Sequence, residues 1–216
     1  MRALDLFTGS GSVAKALRAR GWEVDTLDIN PAYAPTFCTD IRDFDFAALP
    51  ADAYDFVWAS PDCRTWSLAA GARHRKLGAA LSPQAREADA DVAALLSGLR
   101  HLRPRFGWVV ENPRGHLRRH EPLQQLVQDV GGDRTTVFYS NYDYYTHKPT
   151  DIWSSRPLWP KETKPDVWLE NYKHNPYTRG PGCLKERALR GFAVPTALLQ
   201  RVFGHLGLPE APPCGL

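Results

Sequence analysis

The sequence predicts an α/β protein with a doubly wound, mostly parallel sheet. Short apolar stretches of strand composition alternate along the chain with stretches of helical periodicity. The first strand leads directly into a glycine-rich loop, and an acid or a cysteine follows several later strands. In open α/β sheets, ligands bind at the carboxyl ends of the strands. We therefore expect the functional residues on the loops at that edge of the sheet.

The first half of the chain supplies four of the expected strands and two helices. An apolar strand at 3–7 is followed by the glycine loop 8–12 and by a helix that Gly21 ends. Further strands are expected at 22–29, 37–41 and 54–59. Ser82 and Pro83 have the residue types of a helix cap and first turn, and the apolar stripe of the helix continues to Leu102.

The second half supplies the remaining elements and an irregular insert. Strands are expected at 106–110, 135–139 and 151–154, with helices at 122–130 and 194–203. Residues 156–191 are proline-rich, with tryptophan and tyrosine spaced among lysine and arginine. This composition suits a segment that faces nucleic acid, and equally a small irregular subdomain. We expect residues 1–216 to form a single domain that carries this insert.

Composition bounds the class of protein. A chain of 216 residues can bury one large core, and no apolar stretch reaches membrane-spanning length. The first residues enter a strand at once, so no signal peptide is expected. The four cysteines are widely spaced without a Cys-x-x-Cys pair, which predicts a cytoplasmic protein with no disulfide framework and no metal site. The oligomeric state stays open, with a monomer favoured.

Charge is unevenly distributed around a net value of +3. Residues 21–62 are acidic and residues 64–119 are basic. Within the basic part, the loop 71–78 carries Arg73, Arg75 and Lys76 and suits a lid that grips phosphates. A solvated surface and a plain exposed connection are the alternatives, and charge alone does not choose between them.

The glycine loop fits two kinds of cofactor. Gly9-x-Gly11-x-x-Ala14 follows a strand, and Asp28 lies where a ribose-binding acid is expected in dinucleotide-binding proteins. The same features suit S-adenosylmethionine (SAM), with the loop beside the methionine moiety and Asp28 on the ribose. Asp5 favours SAM, because an acid in the first strand suits a charged ammonium and disfavours a pyrophosphate.

A cysteine follows the fourth expected strand. Ser60-Pro61 ends the apolar stretch, and Cys63 comes directly afterwards with Arg64 beside it. A neighbouring cation favours the thiolate, the nucleophilic form of cysteine. Glu111 ends a neighbouring strand and is expected to face the same crevice. The alternatives are a small buried cysteine and a carboxylate that caps a helix or forms an ion pair.

Taken in order, these stretches resemble the DNA cytosine-5 methyltransferase family. The resemblance rests on Asp5-Leu6-Phe7-Thr8-Gly9-Ser10-Gly11, Asp28, Asp40-Ile41, Pro61-Asp62-Cys63 and Glu111-Asn112, which follow the family's order. The stretches 111–115 and 148–153 resemble a compact, phage-type branch without a full target-recognition domain. The resemblance implies a SAM-dependent methyltransferase (Rossmann-like) fold, DNA as partner, and a bacterial or phage-infected host cell.

The resemblance also implies individual roles. Cys63 would attack cytosine carbon 6, Glu111 would contact ring nitrogen 3, Asn112 would fix the loop and Lys148 would contact the base carbonyl oxygen. The implied SAM contacts are Asp5, Phe7, Thr8, Gly9, Ser10, Gly11, Ser12, Asp28, Ile29, Asp40, Ile41 and Pro61. The implied DNA contacts are Arg64, Arg73, Arg75, Lys76 and Arg114.

Three departures from the family pattern leave other functions open. Asp62 stands where the family has a second proline, and its charge opposes a Cys63 thiolate unless Arg64 offsets it. The family's Gln-x-Arg-x-Arg element is missing, with His147-Lys148 as the nearest basic substitute, and Phe192 stands where the last motif has asparagine. The alternatives are an RNA cytosine methyltransferase, an exocyclic-amine methyltransferase and an inactive SAM- or DNA-binding relic. The short insert predicts a recognition sequence of about two to four base pairs.

Overall fold

The computed structural model of the protein describes residues 1–68, 73–144, 146–164 and 193–210. The strands are β1 (Arg2–Leu6), β2 (Glu23–Asp28), β3 (Phe37–Cys38), β4 (Phe56–Ala59), β5 (Arg75–Lys76), β6 (Ala79–Ala80), β7 (Trp108–Pro113), β8 (Asp133–Phe138) and β9 (Pro149–Ser154). The α-helices are α1 (Ser12–Ala19), α2 (Pro83–His101), α3 (Glu121–Asp129) and α4 (Thr196–His205).

Seven strands form one sheet in the order β3-β2-β1-β4-β7-β9-β8. Neighbouring strands are parallel except at β9, which is antiparallel to both β7 and β8. The carboxyl ends of β1, β2, β4, β7 and β8 therefore meet the amino end of β9 at one edge of the sheet. The mostly parallel sheet that the sequence predicts is confirmed.

Helices cover both faces of the sheet. On the face covered by α1 and α4, Trp58 belongs to a buried cluster with Leu17 and Phe203. On the face covered by α2 and α3, Val57 belongs to a second cluster with Leu95. These neighbours in β4 serve opposite faces because side chains alternate along a strand. The sheet is therefore doubly wound, as predicted, and β4 is buried along its whole length.

Local sequence explains where two helices begin. Ser82 caps α2 by accepting a hydrogen bond from the amide of Ala85 at 3.1 Å, and Pro83 occupies the first turn. α1 begins after Gly11, whose φ of 70° lies in the left-handed region that glycine adopts without strain. The glycine loop thus turns the chain from β1 into α1.

Three stretches differ from the sequence-based expectation or lie partly outside the described residues. The strand expected at 37–41 is two residues long, and residues 75–80, which overlap the expected loop 71–78, form a hairpin of β5 and β6. Of the insert 156–191, residues 156–164 are described and bury Leu158 and Trp159, whereas 165–191 and Phe192 lie outside the described residues. Within the described ranges, no helix is long and apolar enough to cross a membrane.

Candidate active site

A cavity of about 500 Å³ opens at the edge where the strand ends meet. Most of its wall is formed by four segments, which are the loop after β1, the end of β2, the loop after β4 and the end of β7. The lining residues are Asp5, Phe7, Thr8, Gly9, Ser10, Ser12, Val13, Asp28, Ile29, Asn30, Tyr33, Ser60, Pro61, Asp62, Cys63, Arg64, Glu111, Pro113, Lys148 and Val194. The structure thus brings the predicted cofactor loop and the predicted catalytic residues Cys63, Glu111 and Lys148 into one space.

The buried carboxyl group of Asp5 holds the glycine loop through hydrogen bonds. One carboxyl oxygen accepts hydrogen bonds from the Thr8 hydroxyl at 2.7 Å and from the Ala14 amide in the first turn of α1 at 3.2 Å. The residue is 1 % exposed. Burial raises the pKa of Asp5 to about 7, although these two hydrogen bonds act in the opposite direction. A cationic group in the cavity would favour the ionised acid.

Asp28 and two exposed apolar side chains form another part of the cavity wall. The Asp28 carboxylate accepts hydrogen bonds from the amides of Gly9 and Asn30, both at 2.9 Å. Ile29 and Tyr33 line the cavity, yet they are 66 % and 42 % exposed. Large apolar side chains at the mouth of a cavity provide a surface on which a flat ring can bind.

Three predicted cofactor contacts do not line the cavity, namely Gly11, Asp40 and Ile41. Asp40 accepts a hydrogen bond from Nε of Arg42 at 2.9 Å, and this contact holds the pKa of Asp40 below its usual value. Ile41 is buried in the cluster beneath α2. An ion pair uses the Asp40 carboxylate and the core uses the Ile41 side chain, so their contact with the cofactor stays a prediction.

Two contacts hold the loop of Cys63 in place. The Cys63 carbonyl accepts hydrogen bonds from the amides of Trp66 at 3.1 Å and Ser67 at 2.8 Å, which closes a turn directly after the cysteine. Nδ2 of the fully buried Asn112 donates to the Pro61 carbonyl at 2.7 Å. The second contact ties the loop to the end of β7 and supports the predicted role of Asn112.

Charged neighbours act on the Cys63 thiol in opposite directions. Burial raises the pKa of Cys63, Glu111 raises it further, Lys148 lowers it and Asp62 raises it. Arg64 is directed at Asp62, with Nε donating to the carboxylate at 2.6 Å and the amide donating at 2.9 Å. Arg64 therefore offsets the charge of Asp62, while Lys148 is the cation that favours the thiolate.

Glu111 contacts a tyrosine that is not among the residues predicted for the site. Oη of Tyr139 donates to Oε1 of Glu111 at 2.8 Å, and both side chains are buried. Nζ of Lys148 lies 4.6 Å from the centroid of the Tyr139 ring. Tyr139 directly follows β8, whose carboxyl end lies at the same edge as those of β4 and β7. The position of Tyr139 at the end of a predicted strand is the one feature of the sequence that could have indicated its place at this site.

The predicted DNA-contacting cations divide into an exposed set and one buried residue. The exposed cations are Arg64, Arg73, Lys76 and Arg114. Arg75 is 1 % exposed: its guanidinium lies 3.3 Å from the centroid of the Trp66 ring, donates to the Ala85 carbonyl at 2.9 Å and pairs with Asp89 at 2.7 Å. The prediction that Arg75 contacts phosphate is contradicted, because its guanidinium is used to join the hairpin to α2.

Several wall residues carried no functional prediction, namely Val13, Asn30, Tyr33 and Pro113. Their residue types carry no chemical signature, and only the packing of the loops brings them to the cavity. Within the described ranges, no group of three or more His, Cys, Asp and Glu residues has the arrangement of metal ligands. Cys38 and Cys63 are free thiols.

A curated viral protein matches part of the chain. No family model matches the sequence. Over 69 residues, which are 31 % of this chain, the sequence is 41 % identical to the "Probable DNA (cytosine-5)-methyltransferase" of Frog virus 3 (isolate Goorha). The matched stretch spans 31 % of the viral protein's length. The predicted resemblance to the DNA cytosine-5 methyltransferase family is confirmed.

Solved methyltransferase structures share the fold. The S. pombe Dnmt2 methyltransferase superposes with a TM-score of 0.52 and 16 % identity, over 76 % of this chain and 51 % of that protein. The Entamoeba histolytica methyltransferase EhMeth superposes with a TM-score of 0.54 and 9 % identity, over 76 % and 57 %. The chain thus spans little more than half of these proteins. The predicted α/β fold of SAM-dependent methyltransferases is confirmed.

Proposed function

We propose that this protein transfers a methyl group from SAM to carbon 5 of cytosine in DNA, through a covalent bond between Cys63 and carbon 6. The observation that carries the proposal is the shared cavity, whose wall includes Asp5 and Asp28 together with Cys63 and Glu111. Direct methyl transfer requires the donor and the base in one space. The name of the viral relative, a DNA cytosine-5 methyltransferase, supports the same activity.

The cofactor side of the cavity fits SAM better than a dinucleotide. Ile29 and Tyr33 offer apolar surface to the adenine, Asp28 offers acceptors to the ribose hydroxyls, and Asp5 offers a carboxylate to the ammonium. A dinucleotide would place its pyrophosphate on free amides at the start of a helix. Asp5 already occupies the Ala14 amide, and its negative charge would repel a phosphate. The other proposed contacts are Phe7, Thr8, Gly9, Ser10, Ser12 and Pro61, with Gly11 shaping the loop.

A cysteine thiolate makes carbon 5 of cytosine reactive. When Cys63 adds to carbon 6, an S–C bond forms and the electrons of the 5,6 double bond shift towards carbon 5. Bound SAM supplies the electrophilic methyl group. After carbon 5 has gained the methyl group, it loses its proton to water, and departure of the Cys63 thiolate restores the double bond.

The other catalytic groups stabilise the charge that this addition creates. Glu111 contacts ring nitrogen 3 through a proton shared between its carboxyl group and the nitrogen, and this proton stabilises the negative charge that develops there as the thiolate adds. Lys148 contacts the base carbonyl oxygen and lowers the pKa of the Cys63 thiol. Asn112 keeps the cysteine loop in register with β7 through its contact with Pro61.

The base must leave the DNA stack before Cys63 reaches carbon 6. The exposed cations Arg64, Arg73, Lys76 and Arg114 are the proposed contacts to the phosphates around the flipped nucleotide. Arg64 lines the cavity itself, and Arg114 directly follows β7. The hairpin that carries Lys76 joins the cysteine loop through the contact of Arg75 with Trp66.

Mass spectrometry of nucleosides tests the proposed reaction. The full chain is incubated with SAM and either plasmid DNA or total RNA, and the digested nucleosides are quantified. We expect 5-methylcytosine in DNA. Production of 4-methylcytosine, methylation of RNA alone or unmodified cytosine in both samples would each contradict the proposal.

Covalent trapping tests the nucleophile. DNA with 5-fluorocytosine should form a stable adduct with the native protein, because fluorine does not leave as the proton does and the thiolate stays bound. We expect Cys63→Ala to lose both the adduct and methylation while calorimetry still detects SAM binding. Cys38→Ala, which changes an exposed free thiol, is the matched control and should retain both. An adduct that persists in Cys63→Ala would identify a different nucleophile.

A further inference from the structure

Tyr139 links two catalytic elements through its backbone. It directly follows β8 and begins a short 3-10 turn, Tyr139–Tyr142. Its amide donates to the His147 carbonyl at 2.8 Å, which closes the loop that ends beside Lys148. Lys148 has a φ of 24°, a conformation that residues other than glycine adopt only when their surroundings hold it. The backbone of Tyr139 therefore helps to determine where Lys148 enters the cavity.

The hydroxyl of Tyr139 holds the carboxyl group of Glu111. The side chain is fully buried, and Oη donates to Oε1 at 2.8 Å. Burial, followed by the charge of Glu111, raises the pKa of Tyr139 well above its usual value, so the phenol keeps its proton at neutral pH. The contact therefore has a fixed direction from phenol to carboxylate. It restrains a side-chain torsion that is otherwise broad, and it leaves Oε2 for the base.

The ring of Tyr139 holds the cation that acts on the nucleophile. Nζ of Lys148 lies 4.6 Å from the ring centroid, within the range of a cation–π interaction. The same ammonium lowers the pKa of the Cys63 thiol, against the effects of burial and of Glu111. Restraining Lys148 on the ring keeps its charge near the sulfur.

We propose that Tyr139 is a positioning residue for both catalytic groups: its hydroxyl orients Glu111 towards the base, and its ring holds Lys148 beside Cys63. The assignment rests on the proposed function of these three residues. Because the hydroxyl serves Glu111 and the ring serves Lys148, two substitutions of the same residue separate the two effects.

Tyr139→Phe removes the hydroxyl and keeps the ring. We expect kcat for DNA methylation to fall about 10- to 100-fold, the effect of losing one hydrogen bond to a charged group, with KM for SAM unchanged. Alkylation of Cys63 by iodoacetamide, followed against pH in protein whose other cysteines, Cys38, Cys183 and Cys214, are replaced by alanine, should keep its midpoint. Tyr139→Leu removes the ring as well, so its alkylation midpoint should move to higher pH, as it should in Lys148→Met.

The matched control is Tyr142→Phe, which removes a hydroxyl from the same turn. That hydroxyl donates to Glu162 instead of Glu111, so kcat should not change. Thermal unfolding of each variant identifies losses due to misfolding. A Tyr139→Phe protein with the kcat of Tyr142→Phe would overturn the role of the hydroxyl, and an unshifted alkylation midpoint in folded Tyr139→Leu would overturn that of the ring. The alkylation experiment needs no substrate, so it tests the ring even if the wild-type protein makes no 5-methylcytosine and the proposed function fails.

Discussion

Asp5 is a buried acid whose ionisation the cavity controls. Burial is the largest cause of its raised pKa of about 7, while Arg18 favours and Asp28 opposes the charged form. An ammonium group bound in the cavity favours the charged form and so stabilises the folded protein at neutral pH. Asp5, the residue that favours SAM in the sequence analysis, therefore also makes the binding of a cationic cofactor dependent on pH.

The stability of the SAM-free protein should fall as pH rises from about 4 to about 7. The unfolded chain releases the Asp5 proton near pH 3.8, while the folded protein keeps it until about pH 7. The folded state binds more protons across this window, so the free energy of unfolding decreases with pH, by roughly 2–4 kcal/mol for this one group. Asp5→Asn cannot ionise at this position. Its free energy of unfolding relative to that of wild type should therefore rise between pH 5 and pH 8.

Urea denaturation at pH 5 and pH 8 measures this difference. Asp52→Asn, at an exposed position, is the control and should differ from wild type by the same amount at both pH values. If Asp5→Asn also showed a constant difference, Asp5 would titrate alike in the folded and unfolded states.

At the scale of elements, the β5–β6 hairpin depends on one buried arginine. The Arg75 guanidinium lies against the Trp66 ring and bonds to Ala85 and Asp89 on α2. Trp66 also closes the turn after Cys63. Arg75 therefore connects the hairpin, the long helix and the loop of the proposed nucleophile, and its role is structural.

Arg75 and Lys76 should respond differently to the loss of charge. Arg75→Met leaves the Ala85 carbonyl and the half-buried Asp89 without their partner, so the free energy of unfolding should fall by about 2–3 kcal/mol. Lys76→Met, at an exposed position, should change stability by less than about 0.5 kcal/mol and reduce the salt dependence of DNA binding by about one phosphate contact.

Chemical denaturation and DNA titrations at several salt concentrations separate the two effects. If Arg75→Met left the protein stable and reduced the salt dependence of DNA binding, Arg75 would have to be a phosphate contact after all. A Lys76→Met protein with native salt dependence would remove Lys76 from them.

The elements and the main site could be predicted because their signals are local. The buried strand before Cys63, the cap at Ser82 and the turn at Gly11 each depend on a few consecutive residues. The antiparallel direction of β9 could not be predicted, because apolar residues at 151–154 suit either direction and pairing with β7 and β8 decides it. Arg75 and Lys76 look alike in a basic loop, and only packing against Trp66 separates them. Tyr139 could be placed at a strand end, but its contact with Glu111 depends on neighbours in space.

At the scale of the whole molecule, the acidic stretch 21–62 and the basic stretch 64–119 meet at one edge of the sheet. The acidic stretch supplies Asp28 and Ile29 of the proposed cofactor site, and the basic stretch supplies Arg64, directly after Cys63, and the hairpin. Part of the basic charge is internal, since Arg75 is buried and Arg118 forms a two-bond pair with the buried Asp151. The surface left for the proposed DNA contacts is therefore smaller than the charge of the sequence suggests.

The first part of the insert is already used by the fold. Trp159 is buried, and the Glu162 carboxylate accepts hydrogen bonds from Tyr142, Asn141 and Arg201. These contacts join residues 156–164 to α4 and to the turn after β8. The base readout proposed for the insert would therefore depend on residues 165–191, which lie outside the described part of the chain.

A segment this short should specify only a short recognition sequence. Each bidentate contact to a base edge contributes about 1–3 kcal/mol of discrimination, and a proline-rich segment can present few such contacts. We therefore expect a site of roughly two to four base pairs, with phosphate contacts supplying much of the affinity and binding falling steeply with salt. Bisulfite sequencing of a plasmid methylated by the purified monomer measures the site. A long, strictly defined motif would contradict this expectation, and one that arises only at high protein concentration would indicate that a second copy supplies the missing contacts.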